Sequence, residues 1–349
     1  MNANNPTSSS WTAQDRDGTI AALDQAPQMR VLVVGDLMVD QYLLGGVERI
    51  SPEAPVPILR ATTRERRPGG AANVALNLRG LGCHVTLAGI VGHDDAGKHL
   101  KVDLEDAGMD TAGIVVLENR PTTLKTRVMS GGQHLIRVDE EVDTDLEDPE
   151  SERLLNAIKV ILSQQTHQAI LLEDYDKGAL SPAVISGILA EAKSKGIPVS
   201  VDPKFRHFQL YKGVALFKPN LKELKEGLGL QWESDDHEAR MSGIESGLKQ
   251  LENDLHPDSI LLTLSEHGVR VRHSGQDAQH PAHPREILDV SGAGDTVIAV
   301  ATVLLAAGVP YSALAAVANL AGGLVCETPG VVPIDADSLR REIQRLPFS

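Results

Sequence analysis

Short apolar runs alternate with amphipathic stretches from Met29 almost to the end of the chain, and this rhythm limits the fold more than any other feature. "MRVLVVGD" (29–36) reads as a buried strand that presents Asp36 at its carboxyl end. "GGAANVALNLRGLG" (69–82) reads as a helix with glycines at both ends, "HVTLAGIVG" as the next strand and "DDAGKHLKVDLEDAG" as the next helix. The alternation continues through a strand near Ala169–Leu172, a helix from Pro182 to Lys195 and the strand "PVSVD". It goes on through "VALFKPN", the helix "LKELKEGL", the strand "SILLTLS" and a long helix after Gly294. Such a rhythm predicts an α/β fold, a doubly wound and mostly parallel sheet with helices on both faces.

Two segments break the rhythm, about 41–65 and about 114–141. The second holds three β-rich runs divided by "ENRP" and "SGGQ", both turn signals. Neither segment fits a helical period, so together they predict a small accessory β-sheet. Ligands of open α/β sheets bind at the carboxyl ends of the strands, and a second sheet over that edge would act as a lid. The simplest organisation is a polar, disordered leader over 1–28, followed by one catalytic domain over 29–349 that carries the lid.

Composition narrows the function by exclusion. A net charge of −15 with 3% aromatic residues predicts neither a nucleic-acid footprint nor a polybasic membrane patch. The start of the chain has no apolar signal-peptide core, and no window approaches the ~20 apolar residues of a membrane span. Two cysteines, Cys83 and Cys326, lie outside any CxxC pattern, which favours a reducing cytoplasm over a disulfide framework.

The densest chemical signal is "DVSGAGDTV" (289–297). Gly292, Ala293 and Gly294 open the most apolar helix. Helix N-termini offer unpaired amides and a positive dipole end, and glycine lets those amides approach an oxyanion. Asp295 in the first turn is either a helix cap or a carboxylate kept ionised as a base, and this segment alone leaves both readings open. "GHDDAGKH" (92–99) fits GxxxxGK but places His99 where a phosphate loop needs Ser or Thr, so it reads as a helix start. In "KPNLKEL" (218–224), Asn220 and Glu223 suit either a capping box or the ordering of Mg²⁺ through water near phosphates. "RATTRERRPGGAAN" gathers Arg60, Arg64, Arg66 and Arg67 in an acidic chain, ahead of Gly69, Gly70 and Asn73. They form either a solvated turn or a seat for an anionic substrate. Lys177, Lys204 and Arg206 add basic groups after strands, although Lys177 has acidic neighbours that would pair with it.

The ordered set "GGAANVA", "KPNLKE" and "DVSGAGDT" resembles the PfkB, or ribokinase-like, sugar kinases, over about Met29–Pro347. "RISPEAPVPIL", "PTTLKTRVMSGGQHLIRVDEE" and "TPGVVPI" resemble, within that family, the D-glycero-β-D-manno-heptose-7-phosphate kinases of lipopolysaccharide-core heptose synthesis. Many of these are fused to a C-terminal nucleotidyltransferase; a chain ending at Ser349 resembles the kinase alone. The resemblance implies Asp295 as catalytic base and Gly292, Ala293 and Gly294 as its anion hole. It implies Asn220 and Glu223 at Mg²⁺ and phosphate, and Asp36, Gly69, Gly70 and Asn73 at the sugar hydroxyls. Ser265, Glu266 and Gly268 would border the nucleotide, and Asn319 the adenine. ATP and Mg²⁺ are the implied cofactors. Members often use a monovalent cation near the glycine loop, but Val290 stands where the family usually has threonine. The expected product is the 1,7-bisphosphate, with Lys177 or an arginine of 60–67 holding the far phosphate. A homodimer joined through the lids is expected, because an accessory sheet exposes an edge or face. The alternatives are another kinase of the family, acting on ribose or fructose 6-phosphate, and a catalytically silent sugar- or nucleotide-binding regulator.

Overall fold

A computed structural model describes residues 11–231 and 237–347. The first strands in chain order are β1 (Arg30–Gly35), β2 (Leu37–Ile50), β3 (Pro57–Gly70), β4 (His84–Gly92) and β5 (Asp110–Leu117). Next come β6 (Thr123–Ser130), β7 (Gln133–Glu140), β8 (Ala169–Glu173), β9 (Val199–Asp202) and β10 (Leu216–Phe217). The last are β11 (Ser259–Thr263), β12 (Val269–His273) and β13 (Gln276–His280). The helices begin with α1 (Ala13–Gln25), α2 (Ala71–Gly80), α3 (Asp95–Asp106), α4 (Asp148–Gln164) and α5 (Pro182–Lys195). They continue with α6 (Leu221–Gly227), α7 (His237–Leu255), α8 (Ala293–Ala306), α9 (Tyr311–Val325) and α10 (Ala336–Arg345).

The main sheet runs β13-β12-β11-β10-β9-β8-β1-β4-β5, parallel except for β12 and β13. Alternate side chains of β1 serve two cores. Val31 and Val33 pack with α1, α2, α3, α8, α9 and α10, whereas Leu32 and Val34 pack with α4, α5, α6 and α7. From β1 the chain winds first to β4 and β5, then to β8 on the other side. The strand order therefore reverses between β1 and β8, which is where an open α/β sheet leaves a crevice. Gly35 pairs with Glu173 at that point. The helix from Pro182 to Lys195 has the ends its sequence predicts: Ser181 accepts from the Val184 amide, Pro182 leads, and Gly196 closes it in the left-handed region.

The second sheet has the order β3-β2-β6-β7. Its register puts Asp40, Tyr42, Arg67, Lys125 and Arg127 on one face, and Gln41, Arg66, Thr126, Ile136 and Val138 on the other. Ile136 and Val138 are exposed by 58% and 45%. One part of the expected accessory sheet is corrected. Ile114–Leu117 belong to β5 and pair with Gly89–Gly92 at the edge of the main sheet. An apolar β-run does not reveal which sheet it will join; here the crossover through α3 returns the chain parallel to β4.

The expected disordered leader is corrected from Trp11 onward. Thr12 and Asp15 form a reciprocal capping box at the start of α1. Trp11, Ala22 and Leu23 are buried, and Arg340 of α10 reaches the Leu23 carbonyl and Asp24. The helix has too few apolar residues to announce itself and is held by partners from the far end of the chain. Residues 1–10 lie outside the described residues. Among those described, no helix is long and apolar enough to cross a membrane.

Candidate active site

The opening turn of α8 meets α2 and the end of β8 around one carboxylate. Gly292 takes φ +80, and a Cβ there would stand 3.0 Å from Nδ2 of Asn73, so both conformation and space demand glycine. Asp295 follows in the first helical turn, 7% exposed. Asn73 Nδ2 donates to its Oδ2 at 2.5 Å, and the Tyr175 hydroxyl donates to its Oδ1 at 3.0 Å. One turn along α2, Asn77 Oδ1 accepts from Thr296 Oγ1 at 2.9 Å and from the Ile334 amide at 3.0 Å. These bonds fix α8 against α2. The α8 end beside Asp295 presents its first-turn amides, of which that of Ala293 already donates to the Val290 carbonyl at 3.3 Å.

The surroundings are strongly charged and largely buried. Glu173, Asp202 and Asp295 each bring a carboxylate oxygen within 4.8 Å of the others, and all three are buried. Lys218 Nζ lies 2.7 Å from Asp202 Oδ2, and Lys204 pairs with Glu223. The two ammoniums supply part of the countercharge, and Glu173 Oε2 and Asp202 Oδ1 are buried without a hydrogen-bond partner. Burial pushes the Asp295 carboxyl up, while the bonds from Asn73 and Tyr175 and the two lysines pull it down. Burial and its acidic neighbours Asp202 and Asp295 push Glu173 well above the usual carboxylate range. Asp202 is pushed up to about 6 by burial, against Lys218. A Cβ on Gly294 would stand 3.8 Å from Lys218 Nζ, which puts that ammonium at the mouth of the α8 amides. An electropositive helix end, an ammonium and a buried carboxylate thus share one crevice. That set can hold a phosphate and accept a proton from an alcohol.

The other expected residues fall into distinct places. Asn220 and Glu223 form the full capping box, with Asn220 N to Glu223 Oε2 and Glu223 N to Asn220 Oδ1 both 2.8 Å. Asn220 also bridges to Thr263 at the carboxyl edge of β11. Asp36, expected to face sugar hydroxyls, spends its carboxylate on the backbone amides of Tyr175, Lys177 and Ala179, at 2.7, 3.0 and 3.0 Å. It fastens a loop. Gly69 and Gly70 let β3 pass close by: a Cβ on Gly69 would stand 2.6 Å from Asp40 Oδ2, and one on Gly70 2.4 Å from the Asp36 carbonyl. Lys177 is ion-paired, but with Glu141 at 2.8 Å rather than with its sequence neighbours.

The arginine cluster separates. Arg60 pairs with Glu48 on the surface, Arg64 is exposed, and Arg66 bonds Gln41 on the outer face. Arg67 lies on the charged face beside Asp40 and Tyr42, with its guanidinium 5.2 Å from the Tyr42 ring and against Gly330 beyond the glycine loop. Arg206 is tied to Asp143 and Asp145. Ser265, Glu266 and Gly268 form a turn at the end of β11. A Cβ on Gly268 would collide with the His280–Ala282 backbone, and Asn319 Nδ2 donates to the Pro281 carbonyl at 2.8 Å. A cavity of about 340 Å³ borders this turn, lined in part by Leu264, Glu266, His267, Pro281 and Ala282.

Six residues escaped the sequence reading: Glu173, Asp202, Lys218 and Tyr175 around Asp295, and Asp40 and Arg127 on the small sheet. Lys218 sits in the quoted "KPN", and its place after a strand was the available signal. Asp40 lies four residues beyond Asp36, 8% exposed, with Oδ1 2.5 Å from an Arg127 nitrogen. Arg127 lies 5.4 Å from the Tyr42 ring, opposite Arg67. Tyr175 gives no signal of its own in "EDYDKG".

Comparison with known proteins identifies the family. The pfkB family carbohydrate kinase model matches residues 28–337. Bifunctional protein HldE of Methylobacillus flagellatus is 41% identical over 314 residues, covering 90% of this chain and 63% of that protein. The HldE protein of Pseudomonas putida is 43% identical over 328 residues, covering 92% and 64%. The chain thus spans less than two thirds of the length of these relatives. In fold it resembles phosphofructokinase-2 from Escherichia coli in complex with fructose-6-phosphate, with a TM-score of 0.73, 20% identity and coverage of 91% and 99%. It also resembles Arabidopsis thaliana ribokinase complexed with ribose and ATP, with a TM-score of 0.68, 20% identity and coverage of 90% and 99%. The chain belongs to the pfkB family of carbohydrate kinases.

Proposed function

We propose that this kinase transfers the γ-phosphoryl group of ATP to the anomeric C1 hydroxyl of D-glycero-β-D-manno-heptose 7-phosphate, giving the 1,7-bisphosphate. The carrying observation is Asp295, buried and held at both carboxylate oxygens beside the α8 amides and Lys218. Asp295 accepts the proton of the C1 hydroxyl as that oxygen attacks phosphorus in line, and ADP leaves. The Gly292 and Gly294 amides at the start of α8 and the Lys218 ammonium meet charge that develops on the transferred group, while the Ala293 amide holds the loop through the Val290 carbonyl. Asn220 Oδ1 and Glu223 Oε2 each accept one hydrogen bond and keep a lone pair, so these hard oxygen donors fit a water-mediated Mg²⁺. The metal would neutralise phosphate charge. The turn of Ser265–Gly268 with Asn319 is our assignment for the adenine end of ATP.

The sugar reading rests on the motif resemblance, on the likeness to the HldE proteins and on the charged face of the small sheet. We assign hydroxyl contacts to Asp40, where the sequence pointed to Asp36, because three amides already engage Asp36. We assign the far phosphate to Arg67 and Arg127, which flank Tyr42. The small sheet acts as a lid that excludes water from the crevice. Its outer face, with Ile136 and Val138, joins a second copy, and the enzyme works in the cytoplasm. The test is ADP release with heptose 7-phosphate, the unphosphorylated heptose, fructose 6-phosphate and ribose. We expect heptose 7-phosphate to lead in kcat/KM by on the order of 10². A lead by ribose or fructose 6-phosphate would move the chain to another sugar, and no ADP release with any of them would make it a binder.

A further inference from the structure

We infer that Tyr175 is a positioning residue for the base: its hydroxyl fixes the orientation of the Asp295 carboxylate, and the loop from Asp174 to Ala179 is fastened so as to present it. This rests on the reading of Asp295 as the base.

The loop leaves β8 at the point where the strand order reverses, and its anchoring is heavy for six residues. Asp36, 1% exposed, takes the amides of Tyr175, Lys177 and Ala179, one at every second residue. Asp174, 2% exposed, accepts from the Asp176 amide at 2.8 Å and from the Tyr211 hydroxyl at 2.6 Å. Asp176 stands at φ +55, a conformation costly for a side-chain residue, and accepts from the Arg206 amide. Arg120 donates to the carbonyls of Val142, Thr144 and Lys177. Gly178, at φ +88, leaves no room for a Cβ against the Thr144 carbonyl. Burying two carboxylates is costly, and they are kept here by satisfied hydrogen bonds. Lys177 turns away to Glu141, so the side chain this loop delivers to the Asp295 cluster is Tyr175.

Its ring lies under Lys204, with Nζ 5.0 Å from the centroid. Burial and the acids Asp295, Glu173 and Asp202 keep its phenol protonated, so it donates. A carboxylate torsion is broad when only one oxygen is held. Asn73 on Oδ2 and Tyr175 on Oδ1 hold both, and each oxygen keeps a second lone pair to receive a proton. Around Asp295 stand Glu173 from β8, Asp202 from β9, Lys204 after β9, Lys218 after β10 and Asn73 from α2.

Tyr175→Phe keeps the ring and removes the donor. The lost bond favours the ionised carboxylate, so its removal raises the Asp295 pKa, and the acid limb of kcat/KM moves to higher pH. We expect kcat to fall by on the order of 10²-fold, with KM for ATP nearly unchanged. Asp36→Asn loosens the loop without touching Asp295, and we expect it to move the acid limb in the same direction. Because Asp36 acts through Tyr175, its cost should shrink in the Tyr175→Phe background, and this non-additivity is what a merely structural role would not produce. An unchanged kcat and acid limb in Tyr175→Phe, with Asp295→Asn inactive, overturns the inference and leaves the base standing. An active Asp295→Asn overturns both.

Discussion

The carboxyl edge of the main sheet and the four-stranded sheet both carry dense charge, and they hold it differently. Around Asp295, the groups Glu173, Asp202 and Lys218 are all below a tenth exposed. On the small sheet, the side chains of Lys125, Arg127, Asp139 and Glu141 are 15–23% exposed. A buried charge must find its partners within the protein, and so its geometry is set before any ligand arrives. A half-solvated charge can exchange a protein partner for a substrate group at little cost, because water screens both states. The first arrangement suits chemistry that depends on aim; the second suits recognition of an anionic substrate.

Substitutions on the two sides should therefore differ in kind. The largest effect is expected from Asp295→Asn, which keeps shape but cannot accept the proton. Turnover should fall by about 10³-fold or more, with ATP still bound. Steady-state ADP release together with equilibrium binding of ATP would measure this; turnover within tenfold of the parent would break the contrast at its stronger end. Arg127→Ala or Arg67→Ala should act on KM instead. A rise of about 10–100-fold for the phosphosugar with kcat near normal corresponds to one lost charged hydrogen bond. An unchanged KM would move the far phosphate to other groups. The smallest kinetic effect is expected on the outer face, where Ile136→Asp with Val138→Asp should leave kcat and KM alone. Sedimentation should show the parent as a dimer and this variant as a monomer. A monomeric parent would end the proposed association.

Much of the fold was legible because its punctuation is local. Pro182 and Gly196 bracket α5 to the residue, and the apolar runs of β1, β4, β8, β9 and β11 fall where the rhythm puts them. The turn before α8 announced itself through glycines that the geometry requires, as Gly292 shows. Other features gave no local sign. The leader helix α1 is weakly patterned and depends on α10. The run Ile114–Leu117 looked like a neighbour of the strands that follow it and joined the main sheet. Asp36 and Asp40 are aspartates four residues apart, one just after β1 and the other within β2; only the paths of the loop after β8 and of Arg127 tell the loop fastener from the group on the charged face of the small sheet.

From the sequence alone came the α/β architecture, the family resemblance, and the coupling of a glycine turn, a helix start and Asp295, all within nine residues. Tertiary structure decided what holds Asp295. Asn73 is 222 residues away and Tyr175 is 120. Period, capping and turn chemistry act over a few residues and can be read directly. Which distant donor reaches a given carboxylate follows from strand order and from the reversal between β1 and β8, and no short stretch of this chain encodes either.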